Sequence, residues 1–525
     1  MKAKSVIVYL FALGFLSCNM EDLGNYDYQS PEEILPVEIE DLNIPSPIQF
    51  RETWHYEPVF KRLENEERYS FRWYVIYTKP GVASMRIDLC NTKILHLDSN
   101  PLDAGSYDLY FEVKDTLWDI FVKKYTRITV SNSILNEGWY ILKDDGENTD
   151  IDYFVRKSYA EINPAHTRYE NVIQRYGFGA PLPGKALSFA FISRYACNEN
   201  VVNGEGESVV ETYKGPGWLV QTDQTIVSTT NTFSRYLYSD FADNFYDPPA
   251  VIEPQGLFID PTDYGTDVVW MLNKNMIYSI YLLGSHIGKF SQLMTDHPLD
   301  FYPEVIWSKN HLLAYEQRSG VFCFVNYIGS FTPLTLASST VPNIALIANA
   351  EVAPVRMLDT YPSGITYTTY GLVLLKHKTL ENKYYLAKVV SQGNNNPFTF
   401  IKELPAAADI LRPDVKVMAA TNIVNAIYYA KNENELWIYT DNDEAIETRQ
   451  QLALTYPKGE KIVYIRPIIR TYDSLSWVCV LTNTAEGGYN LYVYDTVGAT
   501  ADLLLPEKVK LSGTGNAKMF FPRFY

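Results

Sequence analysis

The thiols, carboxylates and imidazoles of this chain are scattered, and their spacing limits the chemistry open to them. Of 5 cysteines, Cys18 ends an apolar run, while Cys90, Cys197, Cys323 and Cys479 lie far apart. With no CxxC pair, a zinc site is not expected. Cys323 in VFCFV and Cys479 in WVCVL sit in apolar strands, where buried free thiols are expected; an oxidising compartment leaves a disulfide open, but no spacing predicts one. The 7 histidines show no HExxH spacing, and no G-x-S-x-G elbow, P-loop or G-x-G-x-x-G occurs. No catalytic residue, metal ligand or cofactor is therefore nominated, and an enzyme is not expected. Asp144, Asp145, Glu147, Asn148, Asp150 and Asp152 crowd one hairpin. An EF-hand loop opening at Asp144 needs glycine and a bidentate acid where Thr149 and Val155 stand, so this cluster reads as a solvated turn. Asp441, Asn442, Asp443 and Glu444 read the same way. Carboxylates paired for glycoside cleavage can meet in space, but among 62 acids that carries almost no information.

Rings are the more telling side chains. Aromatic residues make up 14% of the chain, and 41 of them are tyrosine. Trp139, Trp218, Trp270, Trp437 and Trp477 fall on strand-like runs and read as core. The stretch FSRYLYSDFADNFYDPP (233–249) is different, since it carries many rings between strands and ends at a proline pair. Such a loop is either pinned onto its neighbours or presents a face for stacking. As a ligand-binding set it nominates Tyr236, Tyr238, Phe245 and Tyr246. Trp118, at the hairpin tip DTLWDIF, is an outlying candidate.

The elements that position these groups are strands. Tyr, Val, Ile and Thr favour strands, and no long capped segment of helical period is visible. The fold class is all-β. A formal charge of −17 argues against nucleic acid or anionic lipid as partners, because both require positive surface. Lys2 and Lys4 precede an apolar run, Val6 to Leu16, too short for a hydrocarbon core that needs ~20 residues. With Ser17 before the cut, residues 1–17 form a secretory signal peptide. Residues 18–33, with Gly24, Pro31 and several acids, form a flexible tether.

Residues 34–131 read as an immunoglobulin-like sandwich of about seven short strands. In YSFRWYVIY (69–77) Trp73 is the core tryptophan, and in LDAGSYDLYFEVKD (102–115) Tyr107, Leu109, Phe111 and Val113 share a face, with Tyr107 a corner-type tyrosine. A looser repeat fills residues 134–525. Its unit is an apolar strand, a polar turn and an aromatic strand, seen in GWYILKDDGENTDIDYF, GWLVQTDQTIVST, DVVWMLNKNMIYSIY and HLLAYEQRSGVFCFVNY. GLVLLKHKTLENKYYLAKV, NAIYYAKNENELWIYTD and SWVCVLTNTAEGGYNLYVYD continue it. Most of these hairpins are about 45 to 60 residues apart, which fits a β-propeller of about seven blades. The long interval from 138 to 217 implies an insertion or an irregular blade, and AKMFFPRFY supplies a last strand that closes the ring.

Four motifs carry a resemblance. Phe15-Leu16-Ser17-Cys18 resembles the lipobox of bacterial lipoproteins, in which the cysteine is acylated and becomes the N-terminus. The pattern G-x-Y-x-L-x-F-x-V-x-D at 105–115 resembles polycystic-kidney-disease (PKD) domains. LGNYDY beside Cys18 and GWYILKDDGENTDIDYF after the sandwich look like the PKD-like lipoproteins of Bacteroides-type bacteria. The resemblance implies an anchor through Cys18 in the outer membrane, and the acidic pair Glu21-Asp22 resembles a surface-export signal, so the protein is expected to face the exterior. It also implies a place in polysaccharide utilisation, near an outer-membrane transporter pair. The function expected from it is non-catalytic binding of glycan or another polymer. A docking component of an outer-membrane complex is the alternative, and a propeller lyase or glycosidase the third reading.

Overall fold

A computed structural model describes residues 37–523 apart from 45–47, 50–52, 78–83, 99, 103–104, 132–136, 156–167, 203–207, 234, 260–267, 282–287, 293–298, 308–310, 327–329, 337–339, 361–368, 392–395, 422–423, 442–447, 471–474 and 499. The signal peptide, the tether and Cys18 lie outside the described residues. The chain divides into two compact units, Met1–Asn132 and Ser133–Tyr525.

The first unit contains β1 (Val37–Ile39), β2 (Ile48–Gln49), β3 (Trp54–Tyr56), β4 (Phe60–Leu63), β5 (Tyr69–Tyr77), β6 (Met85–Cys90), β7 (Leu95–Leu97), β8 (Gly105–Asp115) and β9 (Phe121–Ser131). β2-β9-β8-β5-β6 form a five-stranded sheet, and β1–β4 and β3–β7 form two short pairs. Alternation along β8 buries Tyr107, Leu109, Phe111 and Val113, as a period of two requires. Trp73 is fully buried and stacks on Phe111 at 4.2 Å. The short pairs cover this face: Phe60 meets Phe111 edge-on at 6.0 Å and Tyr56 meets Trp73 at 6.0 Å. Strands are more numerous than the sequence suggests because Pro58, which has no N–H to donate, separates β3 from β4. Tyr107 sits inside β8 against the Tyr77 ring at 5.0 Å.

The second unit is a propeller. Among the described residues it has seven four-stranded antiparallel sheets, the first extended by the short strand Leu182–Pro183. In each blade the hairpin legible in the sequence is the middle pair of strands. Most of these strands are largely apolar because both faces are buried. Val268–Asn273 illustrates this: Val269 and Met271 pack with residues of blade 2, and Trp270 and Leu272 pack with those of blade 4. Comparable clusters fill the other junctions, and between blades 1 and 2 Trp218 contacts Tyr140, Phe189 and Phe521 at 4.5, 5.5 and 5.8 Å.

The first strand of each sheet lies innermost. In blades 2 to 7 these are Ala186–Val202, Pro254–Phe258, Ile306–Trp307, Val352–Asp359, Met418–Ala420 and Lys461–Arg470. Blade 1 takes its inner strand from the far end of the chain: Asn516–Arg523 pairs with Gly138–Asp144, from Gly138↔Arg523 to Asp144↔Asn516. The ring is thus closed by the aromatic C-terminal stretch. The long first interval holds a strap with a π-helical turn, Ile173–Phe178, and a hairpin of 17- and 15-residue strands, Ala186–Val202 and Ser208–Thr222.

The acidic hairpin is not a solvated turn throughout. Asp145 and Glu147 are exposed, but Asp144, Asp150 and Asp152 are buried. Asp152 accepts Lys143 Nζ at 2.7 Å, Arg168 at 2.8 Å and the Tyr489 hydroxyl at 2.6 Å, which ties blade 1 to blade 7. Asp150 accepts the backbone N–H groups of Ile173 and Gln174 at 2.9 and 3.2 Å and so holds the strap. Asp441 is also fully buried, paired with Lys402 at 2.7 Å. The solvated reading fails at Asp144, Asp150, Asp152 and Asp441, since a carboxylate can be buried when distant partners satisfy it; Asn442, Asp443 and Glu444 lie outside the described residues.

Candidate binding site in the central channel

Inner strands have one side wall toward the middle of the ring, and there the apolar pattern breaks. Two adjoining cavities, about 190 and 220 Å³, are lined mainly by inner-strand residues and share Phe258, Asp359, Tyr464 and Arg466. The first adds Glu304 and Arg356; the second adds Ser188, Trp307 and Phe520. Glu304 Oε1 accepts Arg356 Nε at 2.8 Å, and its Oε2 accepts the Met357 N–H at 2.7 Å. Arg356 reaches on to the Lys416 carbonyl at 2.8 Å. Asp359 accepts Trp307 Nε1 at 2.8 Å and faces Arg466 at 3.8 Å. Arg466 also donates to the Tyr464 hydroxyl at 3.2 Å, while the Tyr464 ring stands edge-on to Phe520 at 5.4 Å.

These contacts fix the electrostatics. Two guanidinium groups face two carboxylates, so the four carry no net charge. Burial pushes the Glu304 carboxyl above its ordinary value, an effect that Arg356 opposes. Burial likewise pushes the Tyr302 hydroxyl up to about 12, and it donates to the Val355 carbonyl at 2.6 Å. Both Glu304 oxygens are engaged in ties between blades 4 and 5. The arrangement offers fixed donors and acceptors beside half-buried rings, Tyr464 and Phe258. Such a wall orients hydroxyl-bearing ligands.

The ring-rich loop lies elsewhere in the propeller and is pinned. Phe245 is buried among Phe241, Tyr278 and Phe290 at 4.6, 5.2 and 5.5 Å. Tyr238 is buried in the same cluster, with Lys289 Nζ 4.8 Å above its ring. Neither ring presents a face for stacking, because both are buried; Asn244 Nδ2 ties the loop to the Ile226 carbonyl at 2.8 Å and donates within it to the Asp240 carbonyl at 2.7 Å. Tyr236 is half-buried, and only Tyr246 of the four keeps most of its ring in solvent, at 66% exposure. Trp118 is exposed at the β8–β9 tip in the other unit. Of the repeat's tryptophans, Trp139, Trp218, Trp270 and Trp477 are core, and Trp437 is half-buried under Lys431 at 4.4 Å. Cys197, Cys323 and Cys479 are buried free thiols, and Cys90 is free and half-buried.

Sequence reasoning missed the channel residues. Their signal is a charge inside an apolar inner strand: Arg356 and Asp359 in VAPVRMLD, Arg466 in KIVYIRPIIR. Their convergence is a property of the ring alone.

Fold and site together define a two-unit all-β protein, a sandwich followed by a seven-bladed propeller with a charge-balanced channel. Residues 18–185 match the model of the PKD-like family. The match runs from Cys18 through the sandwich to the end of blade 1. Among solved structures, a quinonprotein alcohol dehydrogenase-like protein from Bacteroides thetaiotaomicron is 13% identical with a TM-score of 0.45, over 93% of this chain and 99% of that one. Apo AztD from Citrobacter koseri is 7% identical with a TM-score of 0.32, over 73% of this chain and 97% of that one. No curated protein matches the sequence.

Proposed function

We propose that the propeller is a non-catalytic binding ring for a neutral, hydroxyl-rich polymer, a glycan above all, on a protein tethered through Cys18 to the outer face of the outer membrane. The observation that supports the ligand class is the channel wall, in which Arg356, Glu304, Asp359 and Arg466 balance one another beside Tyr464 and Phe258. A phosphate or polyanion site would carry surplus positive charge. A neutral sugar needs planar polar groups and a ring face. The two bonds held by Glu304 favour binding over general acid chemistry.

The test is a glycan array with the soluble chain beginning at Asn19, followed by Tyr464→Ala and Arg466→Met on any hit. Loss of a ring contact or a charge-assisted hydrogen bond, about 1–3 kcal/mol each, lowers affinity roughly fivefold to 150-fold. Affinity unchanged in both variants removes the channel from the site. An array without hits, joined to co-purification of a transporter subunit, supports the docking alternative.

A further inference from the structure

The hairpin tip between β8 and β9 exposes several large apolar side chains. Leu117 is 69% exposed, Trp118 63% and Phe121 54%, and Tyr125 follows on the same face of β9. The charges beside them are already paired. Lys114 holds Asp119 at 2.5 Å, and Lys123 holds Glu112 at 3.1 Å while lying 4.4 Å from the Phe121 ring centre.

Hydrogen bonds of its own also hold the turn. Asp115 Oδ1 accepts the N–H groups of Leu117 and Trp118 at 2.8 and 3.2 Å. The Asp119 N–H donates to the Asp115 carbonyl at 3.0 Å, the Asp115 N–H to the Ile120 carbonyl at 2.8 Å, and the Thr116 N–H to the Arg68 carbonyl at 3.0 Å. Asp115 is buried and paired with Arg68 at 2.5 Å.

Position gives this tip an occupant. Val37 pairs with Leu63, the strand β4 runs on toward Glu66–Arg68, and Tyr69 pairs with Asp115. The chain therefore starts its first strand at the tip end of the sandwich. It leaves at Ser131, the other end of the 11-residue strand β9, roughly 33 Å away. Between Cys18 and Val37 stand 18 residues. A lipid on Cys18 would hold this end at the bilayer surface at high effective concentration.

We propose that the tip is a second membrane contact, with Leu117, Trp118 and Phe121 seated in the interfacial layer of a phospholipid bilayer. Tryptophan favours that layer. The contact stands the sandwich on end, with the exit of β9 directed away from the lipid. It rests on the reading of Cys18 as the acylated residue.

The test uses the chain beginning at Asn19, which carries no lipid, so its outcome is independent of acylation. This protein should co-float with phosphatidylcholine vesicles at millimolar lipid, and Trp118→Ala with Phe121→Ala should cut the bound fraction at least fivefold. Its melting transition should not move, since both side chains are exposed. Brominated phosphatidylcholine should quench the intrinsic fluorescence, and Trp118→Phe should abolish that quenching while still floating. No co-flotation, equal flotation of the double variant, or quenching that survives Trp118→Phe overturns the proposal. So does a tip that ignores vesicles but whose Trp118→Ala change abolishes binding to a glycan.

Discussion

Asp150 shows what a buried carboxyl costs and does in this fold. Its surroundings push its pKa from 3.8 to about 6, chiefly through burial, although backbone N–H groups from Ile151, Ile173 and Gln174 pull the other way. A raised carboxyl binds its proton more tightly in the native state than in the unfolded chain. That contribution to stability is present at low pH and is lost as pH rises from 3.8 through about 6. The loss amounts to roughly 2–3 kcal/mol. Asp150→Asn removes the titration, so the stability of the natural protein relative to this variant should fall across that window and level off above it. Urea unfolding of both proteins at a series of pH values measures the difference; a constant difference contradicts the assignment. Asp152 is met instead by Lys143, Arg168 and the Tyr489 hydroxyl. Nothing local distinguishes the two acids in the sequence, where both were read as solvated. The partner that separates them, Tyr489, lies 337 residues away.

The strands were legible to the extent that their environment was uniform. Middle strands face a neighbouring blade on both sides, so Ile427–Lys431 and Leu475–Asn483 are apolar and aromatic almost throughout, and the seven hairpins could be counted from the sequence. Inner strands face a blade on one side and the channel on the other. Several are short, as in Ile306–Trp307 and Met418–Ala420, which leaves no period to read. The ring-rich loop misled for a related reason: aromatic content reports the capacity for burial, not whether the ring ends inside or out. The closing strand was legible because AKMFFPRFY is an apolar run with no partner nearby in sequence. Phe520 within it is 1% exposed and packs in one cluster with Trp139 and Trp477. Phe520→Ala should cost about 3–5 kcal/mol, whereas Leu504→Ala, on the exposed outer strand of blade 7, should stay within about 0.5 kcal/mol. Denaturant unfolding of both variants decides it, and similar costs would mean that closure does not depend on this packing.

Across the whole molecule the two units differ in how their cores are built. The sandwich has one core, centred on Trp73 and Phe111. The propeller has a series of junction clusters, each shared by two blades, so no blade can be completed without its neighbours. Such a ring should unfold as one cooperative block once the closing strand is lost, while the sandwich should keep its own transition. Residues 34–131 should therefore give a folded β spectrum and a single melting transition when expressed alone. Residues 134–525 should do the same, because strand Gly138–Asp144 and its partner Asn516–Arg523 both fall within that fragment. Circular dichroism and calorimetry of the fragments and the intact chain provide the check. If either fragment is unfolded while the intact chain melts in one transition, the units depend on each other for stability. If the propeller fragment loses blades one at a time, the junction clusters do not couple as argued.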